Sequence, residues 1–319
     1  SYSVTGVQTC ALPISFVPNT LSLPLSILSE TLSKAAAREG LEESDAMELA
    51  AYAARAGGLA RSTSLLLDER PAELVIWLEG KERRTSLVGA PLEVGRLLAR
   101  HLYPARKSCV FTSATLTAGV KVGFGYLRER LGLPACGELL LGSPFHYDRN
   151  VEIHLHADLP DPTDAEPWEE AILDRIRALV LAEGGRSLVL FTSWRLVERA
   201  RRMAADLAAE GIACLFQGEG PVQRLVERKR RSQASVLFGT DSLWEGIDIP
   251  GETLTQVIIP RLPFPVPTTP FVEARSRELK QQGRHPFKDF HLPETTLRLR
   301  QGFGRLIRGA DDQIGRAHV

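Results

Sequence analysis

The pattern of apolar and polar residues changes along the chain. From Ser29 to about Ala60 the sequence is rich in Ala, Leu and Glu with few breakers, which predicts one or two helices ending near Gly57. Short apolar runs at Glu73–Leu78 and Ser108–Phe111 predict strands, and Pro91–His101 predicts a helix. The first part is therefore expected to be mainly helical, with a few strands.

From about Leu139 onward, short apolar runs alternate with longer helical stretches. The predicted strands are Val151–Leu155, Ser187–Phe191, Ala213–Phe216, Ser235–Phe238 and Thr255–Ile259, and the predicted helices are Trp168–Ala182, Trp194–Ala209, Pro221–Arg231 and Phe271–Gln282. Strands that alternate with helices imply βαβ units, so we expect an α/β fold with a parallel sheet covered by helices on both faces. Pro260–Pro270 is expected to be a proline-rich surface loop.

The composition is typical of a globular protein of roughly two domains, with 319 residues, 44% hydrophobic. Because 39 basic residues balance 39 acidic ones, any nucleic-acid binding must use local patches rather than net charge. Cys10, Cys109, Cys136 and Cys214 are widely spaced and contain no CxxC pair, which argues against a disulfide framework or a metal site and fits a cytoplasmic protein. No run of about 18 apolar residues is present to span a bilayer.

The two ends carry related peptides. Val4–Ile14 contains Ala-Leu-Pro-Ile, and Ile314–Val319 begins with Ile-Gly-Arg-Ala. One DNA sequence and its reverse complement encode both, and that DNA resembles a common short-read sequencing adapter. We therefore expect residues 1–14 and 314–319 to be artificial and to pack poorly, because such ends were never selected with this core.

Ligands of parallel α/β sheets bind outside the carboxyl ends of the strands, and small hydroxyl residues follow several predicted strands here. Thr112-Ser113-Ala114-Thr115-Leu116-Thr117 follows Ser108–Phe111, Thr192-Ser193-Trp194 follows the strand ending at Phe191, and Gly239-Thr240-Asp241-Ser242 follows the strand ending at Phe238. Each one alone fits an ordinary helix N-cap. Together they indicate an oxyanion-binding edge, where backbone N–H groups and helix dipoles favour phosphate.

A further pattern lies near the end of the chain. Gln301, Arg305 and Arg308 stand at i, i+4 and i+7, so one helical face would present an amide and two guanidinium groups. Arginines on a surface helix are usually solvated. Glycines at 302, 304 and 309 flank these, which is costly in a helix unless another group approaches closely. The pattern predicts a phosphate-facing arginine pair.

These residues carry a family resemblance. The strings SATLT (113–117), LVLFTSW (188–194), GTDSLWEGIDIPG (239–251) and QGFGRLIR (301–308) resemble motifs III, IV, V and VI of XPD/DinG-type superfamily 2 DNA helicases, bacterial DinG and YoaA included. The resemblance covers about Leu74 to Asp312 and includes Ser143–Phe145. It implies a RecA-like second helicase domain, preceded by an incomplete first helicase domain and a helical segment.

The resemblance also implies roles for individual residues. Arg305 and Arg308 would be catalytic, facing the ATP phosphates with Gln301 beside them. Four residues would bind ATP or link the state of the nucleotide to the binding of DNA: Ser113, Thr115, Glu245 and Asp248. Thr192, Ser193, Thr240, Asp241 and Ser242 would contact DNA. The implied partners are single-stranded DNA and nucleotide, with no membrane and with the missing first RecA-like domain in the same chain.

The departures from the family limit what this chain can do. It contains no GxxxxGK[ST] loop and no DEAH box, so the groups that hold ATP phosphates and Mg²⁺ in the family are expected upstream. The family's four-cysteine iron–sulfur cluster, where present, is also upstream. The domains are then expected at 15–70 (a helical segment, the end of an Arch insertion), 71–135 (the end of RecA-like domain 1) and 136–313 (RecA-like domain 2).

Other interpretations remain open at this point. The chain could be a non-catalytic single-stranded-DNA-binding module, or an unrelated doubly wound enzyme, although the latter would need a glycine-rich loop that we do not find. The basic cluster Arg224, Arg228, Lys229, Arg230 and Arg231 fits a solvated helix face or a DNA-tracking edge. His154 and His156 alternate on one strand, and a metal-binding pair is not expected there. Trp194 and Trp244 could stack on bases or pack against the sheet.

Overall fold

The computed structural model describes residues 8–10, 18–69, 71, 73–81, 84–117, 123–134, 136–142, 147–240, 243, 249, 251–304 and 315–318. The chain divides into two compact units, Ser1–Val94 with Pro267–Glu278, and Gly95–Val266 with Leu279–Val319. Within the described part of the chain, no helix is both long and apolar enough to cross a membrane.

The first unit contains a helical hairpin and a small antiparallel sheet. Its elements are β1 (Gln8–Cys10), α1 (Ser22–Ala36), α2 (Glu43–Ser64), a π-helical turn (Leu65–Glu69), β2 (Leu74–Lys81) and β3 (Arg84–Pro91), with sheet order β1-β2-β3. The Ser22 hydroxyl donates to the Ala60 carbonyl at 3.1 Å, and the Ser29 hydroxyl donates to the Ala53 carbonyl at 2.8 Å. These small residues let the two helices pack closely along one seam.

The second unit contains a six-stranded parallel sheet. Its elements are α3 (Val94–His101, which begins at the unit boundary), α4 (Gly125–Leu131), α5 (Tyr147–Asn150), β4 (Val151–His154), α6 (Ala165–Ala182), β5 (Ser187–Leu190), α7 (Trp194–Ala200), α8 (Ala204–Ala209), β6 (Ala213–Phe216), α9 (Val222–Arg230), β7 (Ser235–Gly239), β8 (Gln256–Ile258), the end of α10 (Pro270–Gln281), α11 (Leu292–Phe303) and β9 (Gly315–His318). The strand order is β4-β9-β8-β5-β7-β6.

The sheet is buried on both faces. Successive side chains of a strand point to opposite faces, and Leu188, Val189, Leu190 and Phe191 are all fully buried. Val189 and Phe191 join a core that includes residues of α6, α7 and α8, whereas Leu188 and Leu190 join a core that includes residues of α9. The predicted parallel sheet with helices on both faces is therefore confirmed.

Two expectations about strands are wrong. Ser108–Phe111 is not a strand, and the Val110 side chain is 84% exposed, because no described strand lies beside it to share backbone hydrogen bonds. The Arg84–Pro91 strand was missed, since its mixed sequence RTSLVGAP shows only a short apolar run.

The expected poor packing of the chain ends is wrong for residues 315–318. β9 lies between β4 and β8, its Ala317 is fully buried, and the Ile259 amide donates to the His318 carbonyl at 2.8 Å. Gln8–Cys10 pairs with β2. The physical reason is that sheet pairing uses backbone groups, which any sequence carries. The adapter origin of these ends stays a prediction from the DNA match.

Candidate functional site

The carboxyl end of β5 carries two of the predicted hydroxyl residues, Thr192 and Ser193. The Ser193 Oγ accepts a hydrogen bond from the Leu196 amide at 3.4 Å, so Ser193 is the N-cap of α7. Trp194 is partly buried against the core on that face of the sheet. The structure therefore favours packing over base stacking for Trp194. Thr192 and Ser193 remain partly accessible at the sheet edge.

The carboxyl end of β7 carries Thr240, which is buried. Its amide donates to the Gln217 Oε1 at 2.7 Å, and its hydroxyl lies 3.5 Å from the same oxygen. The Leu243 amide donates to the Thr240 carbonyl at 2.8 Å. The predicted site residues Asp241, Ser242, Glu245 and Asp248, with Trp244, lie outside the described residues.

Strand order brings these loops to one edge. β5 pairs with β7 and β7 pairs with β6, with Leu190 opposite Gly239 and Phe216 opposite Phe238. Because all three strands are parallel and end at the same level, the loops that follow them are neighbours. The hydroxyl residues after β5 and β7 are thus brought together, as expected, and Gln217 joins them from β6.

Gln217 was missed by the sequence reasoning. It directly follows Ala213–Phe216 just as Thr192 follows an apolar strand. The rule that ligands bind beyond the carboxyl ends of parallel strands would have found it if applied to every predicted strand.

The SATLT segment forms a local turn. The Thr115 amide donates to the Ser113 Oγ at 3.1 Å, and the two hydroxyl oxygens lie 3.3 Å apart. Ser113 is exposed and Thr115 is half-buried. Thr117, at the end of the segment, is buried and accepts from Arg300 through both its carbonyl and its hydroxyl, the latter at 3.2 Å. Arg300 thus ties this segment to α11.

α11 presents Gln301 next to Arg300. The Gln301 Oε1 is buried and has no hydrogen-bond donor within the part of the chain that the structure describes. A buried acceptor without a partner costs about 1–3 kcal/mol, so this oxygen fits a place where another group is received. The predicted catalytic Arg305 and Arg308 lie outside the described residues, and the helix is described to Phe303.

The basic cluster is not a uniformly solvated face. Arg224, Arg228 and Arg231 are exposed, but Lys229 is fully buried and its ammonium donates to the Thr253 carbonyl. Burial, with the charge of Arg186 acting in the same direction, lowers the pKa of Lys229 to about 7. The sequence interpretation is wrong for Lys229, because α9 turns this position towards the sheet beside Leu225 and Val226.

His154 and His156 both contact a third histidine, His318. The rings of His154 and His156 each stack against His318, with centroids 4.8 and 5.3 Å apart. The His156 Nδ1 lies 2.6 Å from an Arg175 nitrogen. Among the residues described, no group of three His, Cys, Asp or Glu side chains is arranged to hold a metal.

The doubly covered parallel sheet is the fold of the RecA-like domains of XPD helicases. Residues 176–314 match the family described as helicase C-terminal domain. Solved XPD structures share the fold over 98% of this chain: one XPD helicase at 16% identity with a TM-score of 0.61, and an XPD of S. tokodaii at 14% identity with a TM-score of 0.56. The chain covers 61% and 56% of these structures.

The chain is similar in sequence to bacterial DinG and YoaA proteins. It is 37% identical to the ATP-dependent helicase DinG of Mycobacterium tuberculosis and 33% identical to the ATP-dependent DNA helicase YoaA of Escherichia coli, over 75% and 74% of this chain. It is 35% identical over 251 residues to the Bacillus subtilis protein named 3′-5′ exonuclease DinG. The resemblance seen in the sequence is confirmed. The chain spans only 26–36% of the length of these three relatives.

Proposed function

We propose that this chain is the C-terminal motor part of an ATP-dependent DNA helicase that moves 5′→3′ on single-stranded DNA, in the cytoplasm, during DNA repair or replication. The observation that carries the proposal is the shared edge formed by the loops after β5 and β7, with α11 tied by Arg300 to the SATLT segment. This arrangement supports the proposal, because Thr192, Ser193 and Thr240 lie at the carboxyl ends of neighbouring parallel strands, where ligands of such sheets bind.

The DNA-facing role falls on the strand-end loops. Thr192, Ser193, Thr240, Asp241 and Ser242 would contact the sugar-phosphate backbone, because hydroxyl and backbone N–H groups donate to phosphate without reading sequence. Ser113 and Thr115 would couple nucleotide state to this grip, since their segment is joined to α11 through Thr117. Glu245 and Asp248 would lie beside the nucleotide.

The nucleotide-facing role falls on Gln301, Arg305 and Arg308. Phosphoryl transfer spreads negative charge over the γ-phosphate oxygens, and an arginine supplied from a second domain stabilises that charge. The buried Gln301 Oε1, which has no hydrogen-bond partner among the described residues, fits a group received at this position. ATP would be held mainly by a first RecA-like domain, since this chain has no phosphate-binding GxxxxGK[ST] loop. Mg²⁺ would be held by residues of that first domain, and among the described residues no group of three His, Cys, Asp or Glu side chains could hold a metal.

The test is Arg308→Ala in the complete protein, assayed for steady-state ATPase activity with saturating single-stranded DNA. An arginine that acts in the transition state should lower kcat by at least about 10²-fold and change ATP affinity much less. A DNA-binding titration at the same salt should be nearly unchanged. Unchanged kcat would refute the assignment, and equal losses in turnover and DNA affinity would place Arg308 on the DNA path.

The alternative is a non-catalytic module that binds single-stranded DNA on a RecA-like scaffold, which the missing phosphate-binding loop favours. The two functions differ in the gene upstream of Ser15. A Walker lysine encoded there supports the helicase, and its absence supports the binding module.

A further inference from the structure

The loop after β6 contacts both candidate DNA-binding loops, which are the loops after β5 and β7. It begins with Gln217 and Gly218, and β6 is the edge strand next to β7. Gln217 continues the strand pairing, because its amide donates to the Phe238 carbonyl at 2.9 Å. Its side chain then crosses to Thr240 at the end of β7.

The Gln217 side chain is held at a defined position. The Gln217 carboxamide oxygen accepts from the Thr240 amide at 2.7 Å, and both residues are buried. A side chain at Gly239 would collide with this oxygen and with Leu243. The glycine thus leaves room for the carboxamide beside the first turn after β7.

The loop itself is anchored on its other side. Glu219 accepts from the Phe216 amide at 3.3 Å and from Arg201 at 2.7 Å, and the Arg201 guanidinium lies 4.6 Å from the centre of the Phe216 ring. Gly218 has a φ of +99°, and the Trp194 ring would lie 3.6 Å from a β-carbon there. The loop after β6 therefore contacts both the β5 loop, through Trp194, and the β7 loop, through Thr240.

We propose that Gln217 is a positioning residue for single-stranded-DNA binding, which fixes Thr240 at the end of β7 by accepting its backbone amide. This inference rests on the proposed DNA contact of Thr240. The Thr240 hydroxyl also lies 3.5 Å from the Gln217 oxygen, at the limit of a hydrogen bond, so it is the group that would turn from Gln217 to donate to a DNA phosphate. Without the carboxamide oxygen, the buried amide loses its partner and Thr240 shifts.

The experiment is a double-mutant cycle on this chain with a fluorescent oligothymidine, measured by anisotropy. Gln217→Met keeps the side-chain length and removes the acceptor, and we expect affinity to fall about fivefold to tenfold. Thr240→Ala should cause a similar loss. In the Thr240→Ala background, Gln217→Met should add little, because Gln217 acts through the Thr240 hydroxyl. Gln223→Met, on the exposed side of α9, is the matched control.

Hydrogen exchange at the Thr240 amide supplies the second readout. Gln217→Met should accelerate this exchange, and Gln217→Glu should restore protection because a carboxylate oxygen also accepts. A global loss of stability would instead accelerate exchange throughout β7. Unchanged exchange, or additive losses of affinity in the cycle, overturns the positioning role of Gln217. Either result leaves the proposed DNA contact of Thr240 in place. If the parent chain does not bind the oligonucleotide, or Thr240→Ala has no effect, the proposed DNA contact fails and the inference with it.

Discussion

At the scale of single residues, the buried lysine is the least expected feature. Lys229 lies fully buried on α9, between arginines that face solvent, and its pKa is lowered to about 7. Burial of an ammonium is costly even with one carbonyl partner. Because the folded state holds this proton less tightly than the unfolded state, the penalty is complete below pH 7 and disappears as the pH rises towards 10.5.

Lys229→Met should therefore stabilise the chain. We expect a gain of about 1–4 kcal/mol in the free energy of unfolding at pH 6, and a smaller gain at pH 9.5. The loss of the hydrogen bond to Thr253 offsets part of it. Urea unfolding followed by circular dichroism at both pH values measures the change, with Arg228→Met as the exposed control on the same helix. Destabilisation at pH 6 would contradict the prediction.

The candidate site was predictable residue by residue only in part. Thr192, Ser193 and Thr240 follow apolar strands, and the rule for parallel sheets located them at one edge. Gln217 and Arg300 were missed, because their roles depend on partners that are distant in sequence, Thr240 and Thr117. Sequence spacing carries no information about such contacts.

At the scale of elements, β9 is the unusual strand. Central strands of parallel sheets are usually continuous apolar runs, whereas Gly315–His318 reads Gly-Arg-Ala-His. His318 is buried, and desolvation lowers its pKa to about 4, with the charges of His154, His156 and Arg316 acting in the same direction and Glu183 opposing them. The neutral imidazole is therefore the form that this strand accommodates.

The sheet should consequently weaken in mild acid. The folded pKa of His318 lies below the unfolded value of 6.5. The contribution of this imidazole to the free energy of unfolding is therefore complete above pH 6.5 and is lost as the pH falls towards 4. Between pH 7 and pH 5 we expect a loss of up to about 2 kcal/mol from this group. His318→Leu should reduce the acid sensitivity seen in urea unfolding, whereas the exposed His101→Leu should not. Equal acid sensitivity in both variants would exclude His318 as the cause.

At the scale of the whole molecule, we propose that the chain supplies the second of the two domains that together form an ATPase. It spans about a quarter to a third of its DinG and YoaA relatives, and it has no phosphate-binding loop. A complete ATP site needs groups from both domains, since positioning and charge stabilisation act together.

We therefore expect the purified chain to show no ATP turnover, with or without saturating single-stranded DNA. The measurement is a coupled ATPase assay, with Arg308→Ala in the same chain as the control for a contaminating ATPase. Turnover in the parent chain that Arg308→Ala abolishes would contradict the proposal, because the chain would then hold a complete site.

The sequence by itself determined the class of fold and the helicases that the chain resembles. Alternating apolar strands and helical stretches required a doubly covered parallel sheet, because each apolar run needs burial on both faces. The motif strings identified the relatives, since they are local and keep their order along the chain. The bounds of five of the six parallel strands were predicted to within one residue.

Only the tertiary structure decided the rest. The order β4-β9-β8-β5-β7-β6 places Gln217 beside Thr240, and α9 turns Lys229 inward among arginines that the sequence does not distinguish from it. The tertiary structure also includes Gly315–His318 as a central strand of the parallel sheet. Ser108–Phe111, in contrast, pairs with none of the described strands. In each case the outcome depends on backbone and side-chain partners far apart in the chain, and such partners are set by packing rather than by local pattern.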